Sequence, residues 1–330
     1  MILITGANGF IGSMMAWELN SQGIHDLILI DTVSLEQRPG PLRGCKYSKF
    51  ALKDDVWKIL QSSQADQITH VIHLGACSST TETNWVFLTE NNIDYSKRLF
   101  QWCTEKKIPF IYASSAATYG DGRKGFDDQG NLNQFVPLNL YGKSKHLFDL
   151  WALEQAARGP QHQPPRWQGL KFFNVYGPQE DHKIEMSSVA YKAFFQIQKT
   201  GAMGLFKSYH PDYKDGEQKR DFVYVKDVTS WIFELMNHKA ANGIYNMGNG
   251  RARTWLDLTH AVFKAMDKKP EIHWLEMPQN LRNQYQYYTE APMKKWLSQG
   301  LSKPKWTLEA GVADYVKNYL ALQSTQDLKT

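Results

Sequence analysis

A tyrosine and a lysine four residues apart, Tyr141 and Lys145, are the first candidates for chemistry in this sequence. If a helix begins near Tyr141, both side chains lie on one face of it. A free tyrosine has a pKa near ~10, too high for a base at neutral pH, but a neighbouring ammonium favours the phenolate and should lower that pKa. Ser115 ends an apolar run upstream, where its hydroxyl could hold a substrate oxygen against Tyr141. The three residues together predict an acid–base site.

A glycine-rich turn near the N-terminus predicts a dinucleotide site. Gly6, Gly9 and Gly12 stand between a short apolar run and a helical pattern. Glycine there permits a tight turn, close approach of the backbone to a diphosphate, and close packing of the helix on the strand. The diphosphate would bind the free N–H groups at the start of that helix.

The residues after the second apolar run bear on which dinucleotide binds. Asp31 ends that run and could accept hydrogen bonds from ribose hydroxyls, which favours NAD. Arg38, Arg43 and Lys53 follow and could neutralise a 2′-phosphate, which favours NADP. The cofactor predicted from these residues is NADP, with NAD left open.

Short apolar runs alternate with longer helical patterns through the first half of the chain. Strands are predicted at 2–5, 27–30, 70–74, 109–113 and 169–175, and helices at 11–22, 53–61, 84–106 and 141–157. Such alternation is typical of a parallel sheet covered by helices on both faces. The predicted fold class is therefore α/β, a Rossmann-type doubly wound parallel sheet with a smaller, discontinuous α/β C-terminal substrate domain.

The pattern changes after Gly177. Charged residues become more frequent over 178–220, and a strand at 222–225, a helix at 228–236 and a strand at 244–247 precede a mainly helical tail from about residue 250. We expect an NAD(P)-binding domain formed by residues 1–175 and 221–249, and a substrate-binding domain formed by 176–220 and 250–330.

Composition excludes several classes of protein. The three cysteines form no C-x-x-C pair, which favours a reduced compartment. No apolar run approaches the ~18 residues of a membrane span, and the N-terminus lacks the features of a secretory signal, so a cytoplasmic protein without a membrane partner is expected. The net charge of +5 is spread along the chain, which fits an anionic small molecule and argues against nucleic acid. No metal-ligand spacing is present, so no metal is predicted.

Longer motifs resemble a known family over almost the whole chain. The sequence resembles the extended short-chain dehydrogenases/reductases and, within them, the nucleotide-sugar epimerases that act at C6″ of ADP-heptose. The glycine turn, the Tyr-x-x-x-Lys pair and the segment 220–225 are typical of the wider family. GACSSTTE (75–82), SSAATYG (114–120), FFNVYGP (172–178) and the following lysine also match, and the first two and the lysine are more specific to the heptose epimerases.

The resemblance implies a site, residue by residue. Tyr141 and Lys183 would be the two acid/base groups, assisted by Ser115 and Lys145. Besides the three glycines, Lys145 and Lys183, cofactor contacts would be Phe10, Ile11, Asp31, Thr32, Arg38, Lys53, Leu74, Gly75, Ala76, Cys77, Ser78, Asn91 and Val175. Substrate contacts would be Asn174, Glu185, Lys192, Phe206, Lys207, Ser208, Arg220 and Tyr285.

The same resemblance implies the reaction. The enzyme would interconvert ADP-D-glycero- and ADP-L-glycero-β-D-manno-heptose by transient oxidation at C6″, supplying heptose for the lipopolysaccharide inner core. The family also implies a homo-oligomer, a pentamer.

Some positions depart from the family pattern, and other functions stay open. Glu185 and Lys192 stand where serine and histidine are usual, and a longer loop replaces the glycine-rich stretch after Phe206. The alternatives are another nucleotide-sugar epimerase or dehydratase, such as a UDP-hexose 4-epimerase, or a non-catalytic NAD(P)-binding sensor or scaffold. Ala116 and Ala117 occupy the place where a dehydratase carries an acidic pair, and a sensor would need none of Ser115, Tyr141 and Lys145.

Overall fold

The structure is a computed structural model that describes residues 1–282 and 285–327, apart from the side chains of residues 185, 280, 281 and 325–327. Its strands, in chain order, are β1 (Ile2–Thr5), β2 (Leu27–Asp31), β3 (Lys49–Leu52), β4 (His70–His73), β5 (Phe110–Ser115), β6 (Trp167–Phe172), β7 (Asn174–Tyr176), β8 (Met203–Phe206), β9 (Lys219–Tyr224), β10 (Gly243–Met247), β11 (Ala252–Thr254) and β12 (Ile272–Leu275).

The α-helices are shorter and more numerous in the C-terminal part. In chain order they are α1 (Phe10–Ser21), α2 (Val56–Leu60), α3 (Trp85–Leu88), α4 (Tyr95–Lys106), α5 (Leu140–Ala157), α6 (Val189–Thr200), α7 (Val225–Asn237), α8 (Trp255–Ala265), α9 (Gln279–Arg282), α10 (Lys294–Ser298), α11 (Leu308–Tyr315) and α12 (Ala321–Asp327). Within the described part of the chain, no helix combines the length and the apolar character that a membrane crossing requires.

Seven strands form one parallel sheet in the order β10-β6-β5-β4-β1-β2-β3. Its central strands are almost entirely apolar and buried, because helices cover both faces of a parallel sheet. The strand order reverses at β1, which pairs with β2 on one side and β4 on the other. A crevice at such a reversal, beyond the carboxyl ends of the strands, is where ligands bind in doubly wound folds. The predicted fold class is confirmed.

Two smaller sheets lie in the later part of the chain. One has the order β11-β9-β7 and the other pairs β12 with β8. A second apolar cluster, separate from the core around the large sheet, packs there between α6, α8 and α11. The domain boundaries expected from the sequence stay a prediction.

Several predicted elements differ from the structure. The single strand expected at 169–175 is two strands, β6 and β7, which belong to different sheets. Edge strand β3 was not predicted, because its residues alternate without the continuous apolar run of the central strands. β8, α6, β11 and β12 were also missed, the last two within the tail expected to be helical.

The helix expected over 84–106 is interrupted. A π-helical segment, Thr89–Asp94, separates α3 from α4. Its insertion turns the fully buried Asn92 toward the loop after β4, where the side-chain amide accepts a hydrogen bond from Cys77 N–H at 2.8 Å and donates one to Cys77 O at 3.0 Å. Such bulges cannot be read from hydrophobic periodicity, and they are frequent at functional sites.

Candidate active site

A cleft of about 740 Å³ opens along the carboxyl ends of the large sheet. Its walls contain every residue predicted to bind the cofactor or act in catalysis, together with Asn174 from the predicted substrate contacts. Residues far apart in the chain, such as Asp31 and Ser115, line the same cleft because parallel strands end at the same sheet edge.

The glycine turn forms the floor of this cleft. Gly6 has a φ of +68°, and an added Cβ there would lie 2.6 Å from Gly75 Cα. A Cβ on Gly12 would lie only 1.9 Å from Gly6 O. Helix α1 then begins at Phe10 with no side chain capping its N-terminus, so its first N–H groups are available to an anion. This backbone cradle fits the diphosphate of a dinucleotide.

Asp31 holds the glycine turn to the loop that follows β2. One carboxylate oxygen accepts from Asn8 N–H at 2.8 Å and the other from Val33 N–H at 3.0 Å. Arg38 lies across the same loop, where its guanidinium donates to Asn8 O at 2.9 Å. Both oxygens of Asp31 are therefore already hydrogen-bonded to the backbone, beside a cation.

The π-helical segment places a second cation at this end of the cleft. Lys53 Nζ donates to Asn91 Oδ1 at 2.6 Å and lies 5.6 Å from the centre of the Tyr95 ring. Lys53 and Arg38 thus reach the cleft from two different loops.

Tyr141 and Ser115 meet at the other end. Asn139 caps α5 by accepting from Gly142 N–H at 2.7 Å, which starts the helix where the sequence predicted it. The Tyr141 phenol is hydrogen-bonded to the Ser115 hydroxyl. Burial raises the pKa of Tyr141, and the hydrogen bond from Ser115 opposes this rise. The expected lowering of this pKa by Lys145 is wrong for the protein alone, because desolvation of the phenolate outweighs the favourable contacts.

Lys145 lies one turn along α5 and is almost completely buried. Its ammonium donates to Ala113 O on β5 at 2.9 Å. Burial lowers the pKa of Lys145 to about 8, against the opposing charge of Asp149. An ammonium with this pKa is mostly charged at neutral pH yet close to releasing its proton.

Lys183 reaches the cleft from a strained loop that follows β7. Gln179 and Ile184 have positive φ values of 75° and 46°, which non-glycine residues adopt at a cost. Lys183 Nζ lies 5.3 Å from the centre of the Phe10 ring. Burial lowers the pKa of Lys183, and Glu180 partly restores it.

Glu180 anchors this loop from beneath. It is almost fully buried and accepts hydrogen bonds from Gly177 N–H at 3.2 Å and from Ser188 N–H at 2.5 Å. The loop around Lys183 is thereby tied to both of its ends, so the backbone that carries the ammonium is fixed in position.

Arg220 and Tyr285 lie beyond the far wall. Arg220 is buried, with its guanidinium 5.6 Å from the Trp255 ring centre and 5.3 Å from that of Tyr285. Trp255 Nε1 donates to Tyr285 Oη at 2.9 Å, and Trp255 itself lines the cleft. These contacts fix the Arg220 cation behind Trp255, a residue of the cleft wall.

Four further predicted substrate residues lie outside the cleft walls: Lys192, Phe206, Lys207 and Ser208. Lys207 pairs with Glu276 at 2.7 Å, Ser208 N–H donates to Asp215 Oδ1 at 2.6 Å, and Phe206 is half-buried in β8. Lys192 is exposed on α6. The side chain of Glu185 lies outside the described residues.

Two polar residues of the site were missed by sequence reasoning. Asn92 joins the π-helical segment to α5, donating to Ser144 Oγ at 2.9 Å, and its only signal was a second asparagine beside Asn91. His182 lines the cleft next to Lys183, and its Nδ1 is buried with no hydrogen-bond partner among the described residues. Burial lowers the pKa of His182 to about 4, and the nearby positive charge of Arg38 is a second, smaller cause of this lowering.

Comparison with known proteins agrees with this arrangement. The model of the NAD dependent epimerase/dehydratase family matches residues 2–248. The chain belongs to this family. It is accordingly an enzyme of the family, with a nicotinamide dinucleotide as its cofactor.

Individual family members are similar over nearly their full length. The chain is 45% identical to the ADP-L-glycero-D-manno-heptose-6-epimerase of Fusobacterium nucleatum, with 98% of this chain and 99% of the relative covered. It is 46% identical to the protein of the same name from Nitratidesulfovibrio vulgaris strain DP4, with 97% and 98% covered. The crystal structure of the Helicobacter pylori ADP-L-glycero-D-manno-heptose-6-epimerase matches with a TM-score of 0.80 at 25% identity, covering 97% of this chain and 96% of that one.

Proposed function

We propose that this protein is an ADP-heptose 6-epimerase that interconverts ADP-D-glycero- and ADP-L-glycero-β-D-manno-heptose. The observation that carries the substrate is the similarity, over nearly full length, to relatives of that name. The observation that supports the chemistry is that Ser115, Tyr141, Lys145 and Lys183 line one cleft.

Inversion at C6″ needs more than proton transfer, because a carbanion beside an unactivated alcohol has nothing to stabilise it. The bound nicotinamide ring supplies the reversible hydride chemistry, as cofactors do while the protein orients the reactants. The glycine cradle would hold the diphosphate, and Lys145, beside Ala113 at the end of β5, would reach the nicotinamide ribose.

The chain's own residues then move protons. Tyr141, hydrogen-bonded to Ser115, would take the proton of the C6″ hydroxyl as the alcohol becomes a carbonyl. The sugar arm turns before its other face is reduced, which carries the oxygen away from Tyr141. A second proton donor is then needed, and Lys183, with its pKa lowered by burial, would supply it.

NADP is the proposed form of the cofactor. Arg38 and Lys53 bring two cations to the adenosine end of the cleft, and arginine and lysine both bind phosphate well. Both carboxylate oxygens of Asp31 already accept backbone hydrogen bonds, which leaves them less able to bind ribose hydroxyls. Mass spectrometry of the cofactor released from purified protein should give NADP, and NAD alone would contradict this assignment.

The decisive assay compares purified protein on ADP-D-glycero-β-D-manno-heptose and on UDP-glucose, in D₂O. We expect inversion of the heptose without deuterium at C6″, because the hydrogen stays on the cofactor between the two half-reactions. Turnover of UDP-glucose alone would favour a hexose 4-epimerase. Loss of water from the sugar would favour a dehydratase, and cofactor binding without turnover of either sugar would favour a sensor. Deuterium at C6″ would refute transient oxidation.

A cytoplasmic pentamer that supplies heptose for lipopolysaccharide completes the proposal. Sedimentation equilibrium of the purified protein, with and without cofactor, tests the pentamer directly.

A further inference from the structure

A buried ion pair lies behind the catalytic residues and is not used in the chemistry proposed above. Asp149 of α5 and Lys171 of β6 are 0% and 1% exposed, and Lys171 Nζ lies 2.6 Å from Asp149 Oδ2. Burying two charges costs free energy that good geometry only repays in part. A pair in this position therefore calls for a role beyond stability.

Asp149 collects hydrogen bonds from the strand that carries Ser115. Tyr112 Oη donates to Asp149 Oδ1 at 2.9 Å, and Ser114 Oγ donates to Asp149 Oδ2 at 2.7 Å. Both donors belong to β5 and Asp149 to α5, so the carboxylate fixes the strand of Ser115 to the helix of Tyr141.

Lys171 extends the connection to Ser115 itself. Its ammonium donates to Thr118 Oγ1 at 2.5 Å, and the Thr118 hydroxyl donates to Ser115 O at 2.8 Å. The backbone of Ser115 is thus linked through Thr118 and Lys171 to the carboxylate.

The register of α5 directs Asp149 toward the catalytic pair. Tyr141, Lys145 and Asp149 follow each other at intervals of four residues, which places them along one helix face. Lys145 and Lys171 are both buried beside this single carboxylate. Asp149 is therefore the anion that both cations share.

We propose that Asp149 is a positioning residue for catalysis: it holds Ser115 against Tyr141 and supplies the negative charge that keeps Lys145 an ammonium. The prediction about turnover rests on the proposed function, but the protonation of Lys145 can be measured whether or not that function is correct.

Other titratable groups lie near Lys145 and Asp149 on the elements packed around them. Cys77, from the loop after β4, and His73, from β4, lie near Lys145. The groups near Asp149, besides the two lysines and Tyr141, are Tyr112, Tyr119 and His146. The nearby thiol and phenols are neutral at pH 7, because burial raises the pKa of Cys77, Tyr112 and Tyr119. Burial likewise lowers the pKa of His73 and His146, which keeps them neutral.

The test measures how readily Lys145 loses its proton. The cofactor-free protein is treated with an amine-selective acylating reagent across pH 6–10, and modification of Lys145 is quantified by peptide mass spectrometry. The double variant D149N/K171M removes the anion without stranding a buried cation. We expect its half-modification pH to fall below that of the wild type and of the single variant Lys171→Met, because the charge of Asp149 acts on Lys145 and its loss outweighs the loss of the cation. A curve that overlaps the wild-type curve overturns the proposal.

The single variant Lys171→Met should shift the half-modification pH in the opposite direction. It keeps the proposal testable if the double variant does not fold. Lys171→Met removes the cation that pairs with Asp149. The carboxylate then interacts with Lys145 alone, so the pH at which Lys145 is half modified should rise. A fall or no change would contradict the shared-anion arrangement. The control K226M/D314N removes another ion pair, 2.6 Å long and also bonded to a tyrosine, Tyr224, and should leave Lys145 unaffected.

Turnover provides the second readout. In D149N/K171M the alkaline limb of the kcat profile should move to lower pH along with the labelling curve, while KM changes little. If wild-type protein does not turn over ADP-heptose, the proposed function fails, whereas the labelling result still decides the role of Asp149. A turnover profile that coincides with wild type, despite shifted labelling, would refute the catalytic part.

Discussion

At the residue scale, two titratable groups reach the cleft from different elements, Tyr141 from α5 and Lys183 from the loop after β7. Tyr141 is hydrogen-bonded to Ser115, and burial raises its pKa. Lys183 lies over the Phe10 ring, and burial lowers its pKa. Burial disfavours the charged form of each, which moves both groups toward their neutral forms. An amine of reduced basicity can give its proton to a substrate oxygen, as proposed for Lys183. To take the C6″ proton, Tyr141 must be a phenolate, which the ammonium of Lys145 and a cationic nicotinamide would favour once the cofactor is bound.

Tyr141→Phe should abolish most epimerisation while the cofactor remains bound. The phenol oxygen that would take the C6″ proton is lost, and the expected decrease in kcat is about 10²–10⁴-fold, as for general acid–base groups. Conversion of ADP-heptose is followed by chromatography of the two epimers. Tyr47→Phe, a partly buried tyrosine packed elsewhere on the large core, is the matched control. Near-normal turnover of the Tyr141 variant would remove this residue from the mechanism.

Lys183→Met should also lower kcat by about 10²-fold or more, because reduction on the second face lacks its proton donor. The methionine keeps most of the side-chain volume against Phe10. Lys199→Met, at an exposed position near the end of α6, serves as control. Turnover of the Lys183 variant within a few-fold of the wild type would contradict its assignment as the second proton donor.

At the element scale, two irregular segments shape the cleft as much as the regular strands. The glycine turn brings backbone N–H groups to a diphosphate, and the π-helical segment delivers Asn91 and Asn92 to different partners. The loop of Lys183 adds backbone strain, held by Glu180. Such segments persist only because the surrounding structure fixes both of their ends.

Gly12→Ala should deprive the protein of its cofactor. The new Cβ would lie 1.9 Å from Gly6 O, so the turn must open and its N–H groups move away from the diphosphate. We expect at least about a tenfold loss in dinucleotide affinity, measured by titration of cofactor-free protein, since even a 1.4 kcal/mol loss has that effect. Gly40→Ala, where an added Cβ meets nothing within 4 Å, should bind normally. Unchanged affinity in the Gly12 variant would mean that the diphosphate lies elsewhere.

At the scale of the whole molecule, polar groups buried in the large core connect its elements and make stability depend on pH. His73 of β4 lies between Thr5 Oγ1 at 2.6 Å and Ser96 Oγ at 2.8 Å, which joins β1 to α4. Burial, with a smaller effect of Lys145, lowers the pKa of His73 from 6.5 to about 3. The folded protein therefore binds this proton more weakly than the unfolded chain does.

The free energy of unfolding should consequently decrease as the pH falls from 6.5 toward 3. The stabilising contribution of a neutral His73 is fully present above pH 6.5. About 2–3 kcal/mol of it would be lost by pH 4.5, which is two pH units below the pKa of histidine in the unfolded chain. Urea unfolding at pH 7.0, 6.0, 5.0 and 4.5 measures the slope. His73→Gln should flatten the slope even if it lowers stability at every pH, whereas exposed His273→Gln should not. An equal slope in both variants would contradict the prediction.

The sequence by itself determined the features whose causes are local. Gly6 and Gly12 specify the cradle because a side chain at either position would collide with the backbone, and alternating apolar and helical patterns specify the parallel sheet. Tyr141 and Lys145 could be paired from helical spacing alone. The role of Lys183 and the substrate came only from resemblance, since a lysine in a loop has no distinguishing local pattern.

The tertiary structure decided everything that depends on distant partners. The joint use of Asp149 by Lys145 and Lys171, the capture of both Asp31 oxygens by backbone N–H groups, and the division of 169–175 between two sheets all involve elements far apart in the chain. Burial set the pKa of Tyr141 above its usual value rather than below it. Desolvation and long-range pairing arise only when the chain is packed, so they cannot be predicted from the spacing of residues along the sequence.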